Sequence, residues 1–342
     1  MPEPRILVVR LSSLGDIVHT FPAVAALRET FPNAEIVWLT HPRWKLLVES
    51  SGLASEVWVT ETRSLSSLRT ILRSIREKKF SVAMDYQGLW KSAALPFFGG
   101  IPRRIGFSSE TIREYGVPVF YTDRVRCTQA HVADQNGELS LRAGARRATA
   151  AVNLAVPHSD ESAFCHRPRG LGIQRYVALS PGGGWRSKCW PPDRFGVLCK
   201  RIRDSVGLRC VVNYGPGEEA LAAGVHDASG DADPLLYDGE LGQLMALLRG
   251  ALCIVGGDTG PLHLAVALGT PAVALFGPTD PARNGPYRVS ESSGRATRTD
   301  IVLRSPRAIT TYKRGGQTDP SLLEIEVDAV FEAVRRQVEV RA

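Results

Sequence analysis

The chain has 342 residues, 44% of them hydrophobic and 23% charged, which excludes a disordered polymer and allows two domains of ordinary size. Its net charge is +7 and uneven: residues 1–168 carry 21 Lys and Arg against 16 Asp and Glu, residues 169–342 carry 21 against 19. A basic first half suits an anionic partner such as a phosphorylated or carboxylated glycolipid, a membrane surface or nucleic acid, and equally a solvated arginine-rich surface.

Ile6–Val9 is a continuous apolar run, as expected of a strand covered on both faces. Ile17, Phe21, Val24, Leu27 and Phe31 recur at three- and four-residue steps and predict one helix, ended by Pro32-Asn33. Strands follow at Glu35–Thr40 and Val57–Val59, then a helix carrying Leu65, Leu68, Leu72 and Ile75, then a strand from Ser81 to Tyr86. This βαβαβαβ order is that of a parallel, doubly wound sheet. The pattern blurs after Gly99, and the Pro- and Gly-bearing stretch before Tyr176 reads as a linker.

The alternation then restarts. Tyr176–Ser180 and Cys210–Tyr214 read as strands around a helix at Phe195–Ile202, and Leu241 to Leu248 marks another helix. Cys253–Gly256 and Ala272–Phe276 are strands flanking a helix, and Val327 to Val338 closes the chain as a helix. The predicted division is a first Rossmann-like domain over 1–156, a linker over 157–172 and a second such domain over 173–342. Two such halves imply a cleft between them, a common place for a ligand.

Six cysteines show no CxxC pair and no zinc spacing with the seven histidines, so no metal site is expected. They read as thiols of a reducing compartment. No stretch reaches the ~18 apolar residues of a membrane span. Leu262–Phe276 comes nearest and is broken by Gly269 and Pro271. With no export signal at the N-terminus, the expectation is a cytoplasmic chain. No basic patch interleaved with aromatics points to nucleic acid.

Three loops carry chemistry. The first strand runs into Arg10-Leu11-Ser12-Ser13-Leu14-Gly15-Asp16, which opens a helix without a GxGxxG fingerprint. Asp16 is either a helix N-cap or a general base. The second loop is Ser180-Pro181-Gly182-Gly183-Gly184-Trp185-Arg186-Ser187-Lys188. Its glycines let backbone N–H groups approach an anion, and Lys188 adds a point charge suited to phosphate. It lacks Walker A spacing, and a tight turn with a surface lysine is the plainer reading. The third is Gly256-Gly257-Asp258-Thr259-Gly260-Pro261-Leu262-His263, where a buried strand meets a capped helix start, a ready site for a diphosphate. His263 is either part of that site or a satisfied core histidine. Gly277-Pro278-Thr279-Asp280-Pro281 is a further polar loop after the next strand.

SSLGDIVHTFPAVAALRETFP, PGGGWRSKCWPPDRF and GDTGPLHLAVALGTPAVALFGPTDP, in that order, resemble glycosyltransferase family 9, the lipopolysaccharide heptosyltransferases. DYQGLWKSAAL, Arg113-Glu114, Phe120-Tyr121 and His131 are similar to the branch that adds the first heptose to Kdo, heptosyltransferase I.

The resemblance implies an α/β protein of GT-B fold, two Rossmann-like doubly wound domains facing a cleft, with donor on the second and acceptor on the first. It implies inverting transfer of heptose from ADP-L-glycero-D-manno-heptose to Kdo, with Asp16 as base and Lys188 on the donor phosphates. Gly183, Gly184, Asp258, Thr259, Gly260 and His263 complete the donor site, with Glu219 on the ribose and Glu218 as its rival. Ser13, Gly15, Arg63, Lys91 and Arg113 fall to the acceptor.

The chain departs from the family's pattern at Gly184, where Ser or Thr is usual, and in lacking cysteines near Tyr312–Pro320. No cofactor or metal is expected. The partners are a nucleotide-sugar donor and a Kdo–lipid A acceptor, met by a monomer peripheral to the inner membrane. Rival readings are heptosyltransferase II, another sugar-nucleotide transferase, a GT-B sugar-nucleotide 2-epimerase and a non-catalytic nucleotide-sugar binder.

Overall fold

The computed structural model describes residues 3–112, 114–158, 175–289 and 300–339. Two compact units meet in sequence at Ala155 and Val156. Most of the stretch read as a linker, 157–172, lies outside the described residues, as does Arg113.

The first unit is a six-stranded parallel sheet in the order β3-β2-β1-β4-β5-β6. Its strands are β1 (Arg5–Val9), β2 (Glu35–Thr40), β3 (Glu56–Val59), β4 (Val82–Asp85), β5 (Arg103–Phe107) and β6 (Asp123–Val125). Its longer helices are α2 (Phe21–Thr30), α4 (Leu65–Lys78), α5 (Trp90–Phe98) and α6 (Val132–Ala143), with short α1 (Leu14–Val18) and α3 (Lys45–Glu49). β1 is apolar throughout its buried length because both faces are covered.

The single helix expected from Ile17 to Phe31 is two helices. Pro22 sits in the first turn of α2 and has no N–H to continue the ladder from α1. The Thr20 hydroxyl instead donates to the Asp16 carbonyl at 2.8 Å. This break ends α1 two residues after Asp16, at Val18.

The second unit repeats the plan. β7 (Tyr176–Ser180), β8 (Arg209–Asn213), β9 (Leu235–Tyr237), β10 (Cys253–Gly257), β11 (Ala272–Phe276) and β12 (Ile301–Arg304) form a parallel sheet ordered β12-β11-β10-β7-β8-β9. The helices are α7 (Pro192–Val206), α8 (Glu219–Ser229), α9 (Leu241–Gly250), α10 (Gly260–Ala267), α11 (Pro281–Asn284), α12 (Pro320–Leu323) and α13 (Val327–Glu339). α7 and α13 bury Phe195, Leu198, Val330 and Val334 against the sheet. Trp190 fastens α13 to this core by donating its indole N–H to the Ile325 carbonyl at 3.0 Å.

Chain winding is the same in both units. The first strand lies in the middle, two strands are added on one side, and the chain then crosses to the other. In such a sheet the loops leaving the two central strands diverge at the carboxyl edge, which opens a crevice there. In the first unit these strands are β1 and β4, in the second β7 and β10.

Gly106 in β5 lies flat against the Tyr121 ring, whose nearest atom would be 2.3 Å from an added Cβ. Tyr121 cannot yield easily, since its hydroxyl donates to buried Asp85 at 2.7 Å. Gly106→Ala is therefore expected to cost about 1–3 kcal/mol by overpacking, read as a lower urea midpoint with an unchanged slope.

Candidate functional site

In the first unit the crevice loop after β1 is fixed from beneath. Arg10 is buried, with its side chain 7% exposed, while the Asp16 side chain is 39% exposed. Arg10 Nη2 meets Asp16 Oδ1 at 2.8 Å, and Nη1 donates to the Tyr86 carbonyl. The other carboxylate oxygen, Asp16 Oδ2, accepts from the Ser13 backbone N–H at 3.0 Å and from its hydroxyl at 2.7 Å. The N-cap of α1 is Ser13, and Asp16 is the third helical residue, so the N-cap alternative for Asp16 does not hold. Its carboxylate is oriented at both oxygens yet reachable from solvent, as a proton acceptor must be.

The loop after β4 completes this half. The Gln87 side chain accepts from Leu11 N–H at 2.6 Å and donates to Ser12 Oγ at 3.4 Å, tying the two loops together. Gln87 is placed by Asp85, whose carboxylate accepts from the Gln87 and Gly88 N–H groups and from the Ser92 and Tyr121 hydroxyls. Burial pushes the Asp85 carboxyl above its usual range, against the pull of these four donors. The Tyr121 hydroxyl is raised far above its usual range by burial and by the facing Asp85 charge.

Ser13 is exposed and Gly15 buried at this loop. Arg63 is exposed in the turn after β3, and Lys91 is exposed at the second residue of α5. Both thus stand beyond carboxyl ends of strands in the same sheet.

In the second unit the loops after β7 and β10 meet closely. A Cβ on Gly257 would lie 2.7 Å from the Lys188 carbonyl oxygen, so glycine there lets the lysine loop rest on the strand. Lys188 Nζ donates to the Asp258 carbonyl at 2.6 Å and approaches Asp258 Oδ2 at 3.3 Å, which uses two of its three N–H bonds. Its ammonium also lies 4.9 Å from the Trp185 ring centroid. Asp258 Oδ1 is held in turn by His263 Nε2 at 3.1 Å. Buried His263 is therefore neither a bystander in the core nor at the mouth of the site; it orients the carboxylate that orients the lysine.

Thr259 is the N-cap of α10 and Pro261 lies in its first turn. The Thr259 hydroxyl is buried and, among the described residues, has no hydrogen-bond partner. A Cβ on Gly183 would lie 3.3 Å from the Thr259 methyl, whereas one on Gly184 would meet nothing within 4 Å. Gly183 is thus tightly packed against Thr259, and Gly184 leaves open space where a hydroxyl residue would fit. Asp280 in the next loop serves as a helix cap, accepting from Ala282 N–H at 2.9 Å.

Of the two glutamates weighed for this site, Glu218 reaches the loop. A Cβ on Gly182 would fall 2.2 Å from its carboxyl group, and Glu218 also accepts from Gly215 N–H at 2.9 Å. Glu219 is exposed and accepts from Gly217 N–H at 3.1 Å. Helix α8 begins between them, at Glu219.

Sequence reasoning also passed over Arg10, Gln87, Trp185 and Arg314. Arg314 lies 5.7 Å from the centroid of the indole that Lys188 also faces. Its segment is tied to the lysine loop, with Gly315 N–H donating to Ser187 Oγ at 3.4 Å and the Thr318 hydroxyl to the Cys189 carbonyl at 3.2 Å. Only long-range pairing reveals this, as Arg314 stands in a stretch without periodicity. Among the described residues no group of three His, Cys, Asp or Glu side chains could hold a metal ion.

The family model for glycosyltransferase family 9 (heptosyltransferase) matches residues 68–301. Lipopolysaccharide heptosyltransferase 1 of Escherichia coli K12 is 26% identical over 318 residues, covering 89% of this chain and 98% of that protein. The structure of E. coli ADP-heptose lps heptosyltransferase II superposes with a TM-score of 0.80 at 22% identity, covering 98% of this chain and 99% of that one. E. coli heptosyltransferase WaaC with ADP gives 0.77 at 24% identity, covering 97% and 99%. These likenesses establish the GT-B fold expected from the sequence.

Burial acts to raise the Asp258 carboxyl, but the His263 hydrogen bond and the Lys188 charge outweigh it and hold it at about 2, below the usual 3.8. A folded value below the unfolded one makes the ionised carboxylate stabilising above pH 3.8, and that stability is lost as pH falls toward 2. The contribution is about 2 kcal/mol. Urea titrations of wild type and Asp258→Asn should therefore differ at neutral pH and converge near the acid end; a gap constant with pH would count against this coupling.

Proposed function

The chain belongs to glycosyltransferase family 9, the heptosyltransferases, and on that premise we propose that it transfers heptose from ADP-L-glycero-D-manno-heptose to the Kdo of the lipopolysaccharide inner core. The observation that carries the reading is the donor half. A tethered lysine with a spare N–H, an unpartnered buried hydroxyl at a helix start and close-packed glycines are the complement of a diphosphate.

In this reading Lys188, Gly183, Gly184, Thr259 and Gly260 hold the diphosphate. Asp258 and His263 position Lys188, and Glu218 takes the ribose role first considered for Glu219. Arg314 adds a second cation on the Trp185 face. Arg63, Lys91 and Arg113 meet the carboxylates and phosphates of the acceptor, with Ser13 and Gly15 shaping its seat.

Asp16 takes the proton of the attacking Kdo hydroxyl as its oxygen bonds to the anomeric carbon. The bond from that carbon to the ADP oxygen breaks on the opposite side, inverting the centre. Charge grows on the departing phosphate, where Lys188 and the N–H groups opening α10 are already in place. These groups supply the charge stabilisation, and no step is assigned to a metal. Among the described residues no helix is long and apolar enough to cross a membrane. We assign the chain to the cytoplasmic face of the inner membrane as a peripheral monomer.

The test is a transfer assay with ADP-heptose and Kdo–lipid A, accompanied by ADP titration. Asp16→Ala should lower kcat about 10²–10⁴-fold, the range of a lost general base, with ADP binding intact. Lys188→Ala should weaken ADP binding by about tenfold or more, as the loss of a charge-assisted contact implies. Undiminished transfer by Asp16→Ala would sink the base assignment. Transfer to an acceptor already carrying one heptose, and not to Kdo, would move the chain to the heptosyltransferase II reaction.

A further inference from the structure

Outside the candidate site, the first unit exposes a connected strip of aromatic rings along α5. Trp90 is 49% exposed, Phe97 42% and Phe98 57%, although buried aromatics are available to neither solvent nor partner elsewhere in this unit's core. The rings are packed edge to face: Trp90 on Phe120 at 5.1 Å, Phe97 on Phe120 at 5.1 Å and Phe97 on Phe98 at 5.2 Å. The 3₁₀ turn Val117–Phe120 that backs this strip adds Val119, 63% exposed, and Tyr115 just before it is 97% exposed. An apolar surface so built is rigid, since Trp90 is anchored by its indole N–H on the Tyr115 carbonyl at 3.2 Å.

Cations border the strip. Arg76 donates to the Phe98 carbonyl at 3.0 Å, Arg104 lies over the Phe97 ring at 5.3 Å, and Lys91 follows Trp90 on the helix. Among the described residues no ion pair joins Arg76, Arg104 or Lys91 to a carboxylate; Arg104 also donates to the Phe120 carbonyl at 2.7 Å, and the adjacent Glu114 is engaged with the Trp90 N–H at 2.8 Å.

We propose that this strip is the surface by which the chain docks on an anionic phospholipid bilayer. Trp and Phe with flanking Arg and Lys match the interfacial zone, where amphipathic rings settle at the headgroups and cations meet lipid phosphates. The charge selects this occupant over a second copy. A two-fold dimer through this face would set Arg76, Arg104 and Lys91 against their own images, with the adjacent Glu114 already engaged by the Trp90 N–H. Docking here deepens the reading of a lipid-linked acceptor, because it brings the unit that carries Asp16 and Lys91 to the layer where that acceptor lies.

The test is co-sedimentation of the full chain with vesicles of mixed phosphatidylethanolamine and phosphatidylglycerol, against vesicles of phosphatidylcholine alone. Neither vesicle contains sugar acceptor, so the outcome is independent of the transfer reaction. Wild type should bind the anionic vesicles preferentially. Phe98→Ser combined with Val119→Ser should weaken binding about tenfold or more through lost apolar burial, and Arg76→Gln about fivefold. ADP titration of each variant verifies that the second unit is intact, and absence of ADP binding in wild type would undo the donor reading while leaving the docking surface untouched. Equal vesicle binding by wild type and variants overturns the proposal. So does a wild-type dimer, seen by sedimentation velocity, that these substitutions dissociate while vesicles bind nothing.

Discussion

A parallel sheet that begins at its middle strand and winds outward both ways must send its two central loops apart at the carboxyl edge. Both units obey that constraint, in the orders β3-β2-β1-β4-β5-β6 and β12-β11-β10-β7-β8-β9. The groups given the central tasks of the proposed reaction are anchored there. Asp16 and Gln87 follow β1 and β4, and Lys188 and Asp258 follow β7 and β10. The strands have little freedom, being buried on both faces, so the divergent loops inherit fixed origins.

The two crevices use charge differently. At β1 the cation is buried and the acid accessible: Arg10 stays beneath the loop and presents the Asp16 carboxylate outward. At β10 both charges are buried, the Lys188 side chain 14% and the Asp258 side chain 11% exposed, with His263 at 4%. A base must receive a proton from an incoming hydroxyl, so its support comes from behind. A phosphate ligand must present positive charge without collapsing onto the protein, so its counter-ion lies behind it. An accessible acid on a buried cation suits the proton removal proposed for Asp16, and a buried lysine–carboxylate pair suits the leaving-group stabilisation proposed for Lys188.

The strands β1, β2, β7, β10 and β11 were legible because burial on both faces demands unbroken apolar runs. The loops after them were legible because glycine, aspartate and lysine cluster there. What stayed hidden was set by distant contacts. β5 carries two arginines and a glycine, RRIGF, so its pattern gives no strand period; it exists because β4 and β6 pair with it. The break between α1 and α2 was visible in Pro22 but masked by a hydrophobic repeat that continues through it. The contacts of Arg10 with Tyr86 and of Glu218 with Gly182 were not legible, because those partners are remote in sequence. Nearest-neighbour chemistry identifies a loop, and only the sheet decides which side chain of that loop faces which partner.

The same logic extends to the surface of α5. Its first residues follow the β4 loop that braces Asp16 through Gln87, and its last residues carry Phe97 and Phe98. One helix thus links the support of Asp16, the proposed base, to the aromatic strip. Asp85 strengthens that link, since its buried carboxylate bonds Ser92 within α5 and Tyr121 at the end of the turn that backs Trp90. Removing any of these polar groups would leave another unsatisfied in a dry environment, which makes the assembly costly to deform. The surface proposed to meet lipid and the carboxylate proposed as base are therefore held in fixed register within one unit. In the proposed reaction a lipid-anchored acceptor is confined to the membrane plane, and fixed register would convert that confinement into a defined height of its hydroxyl relative to Asp16.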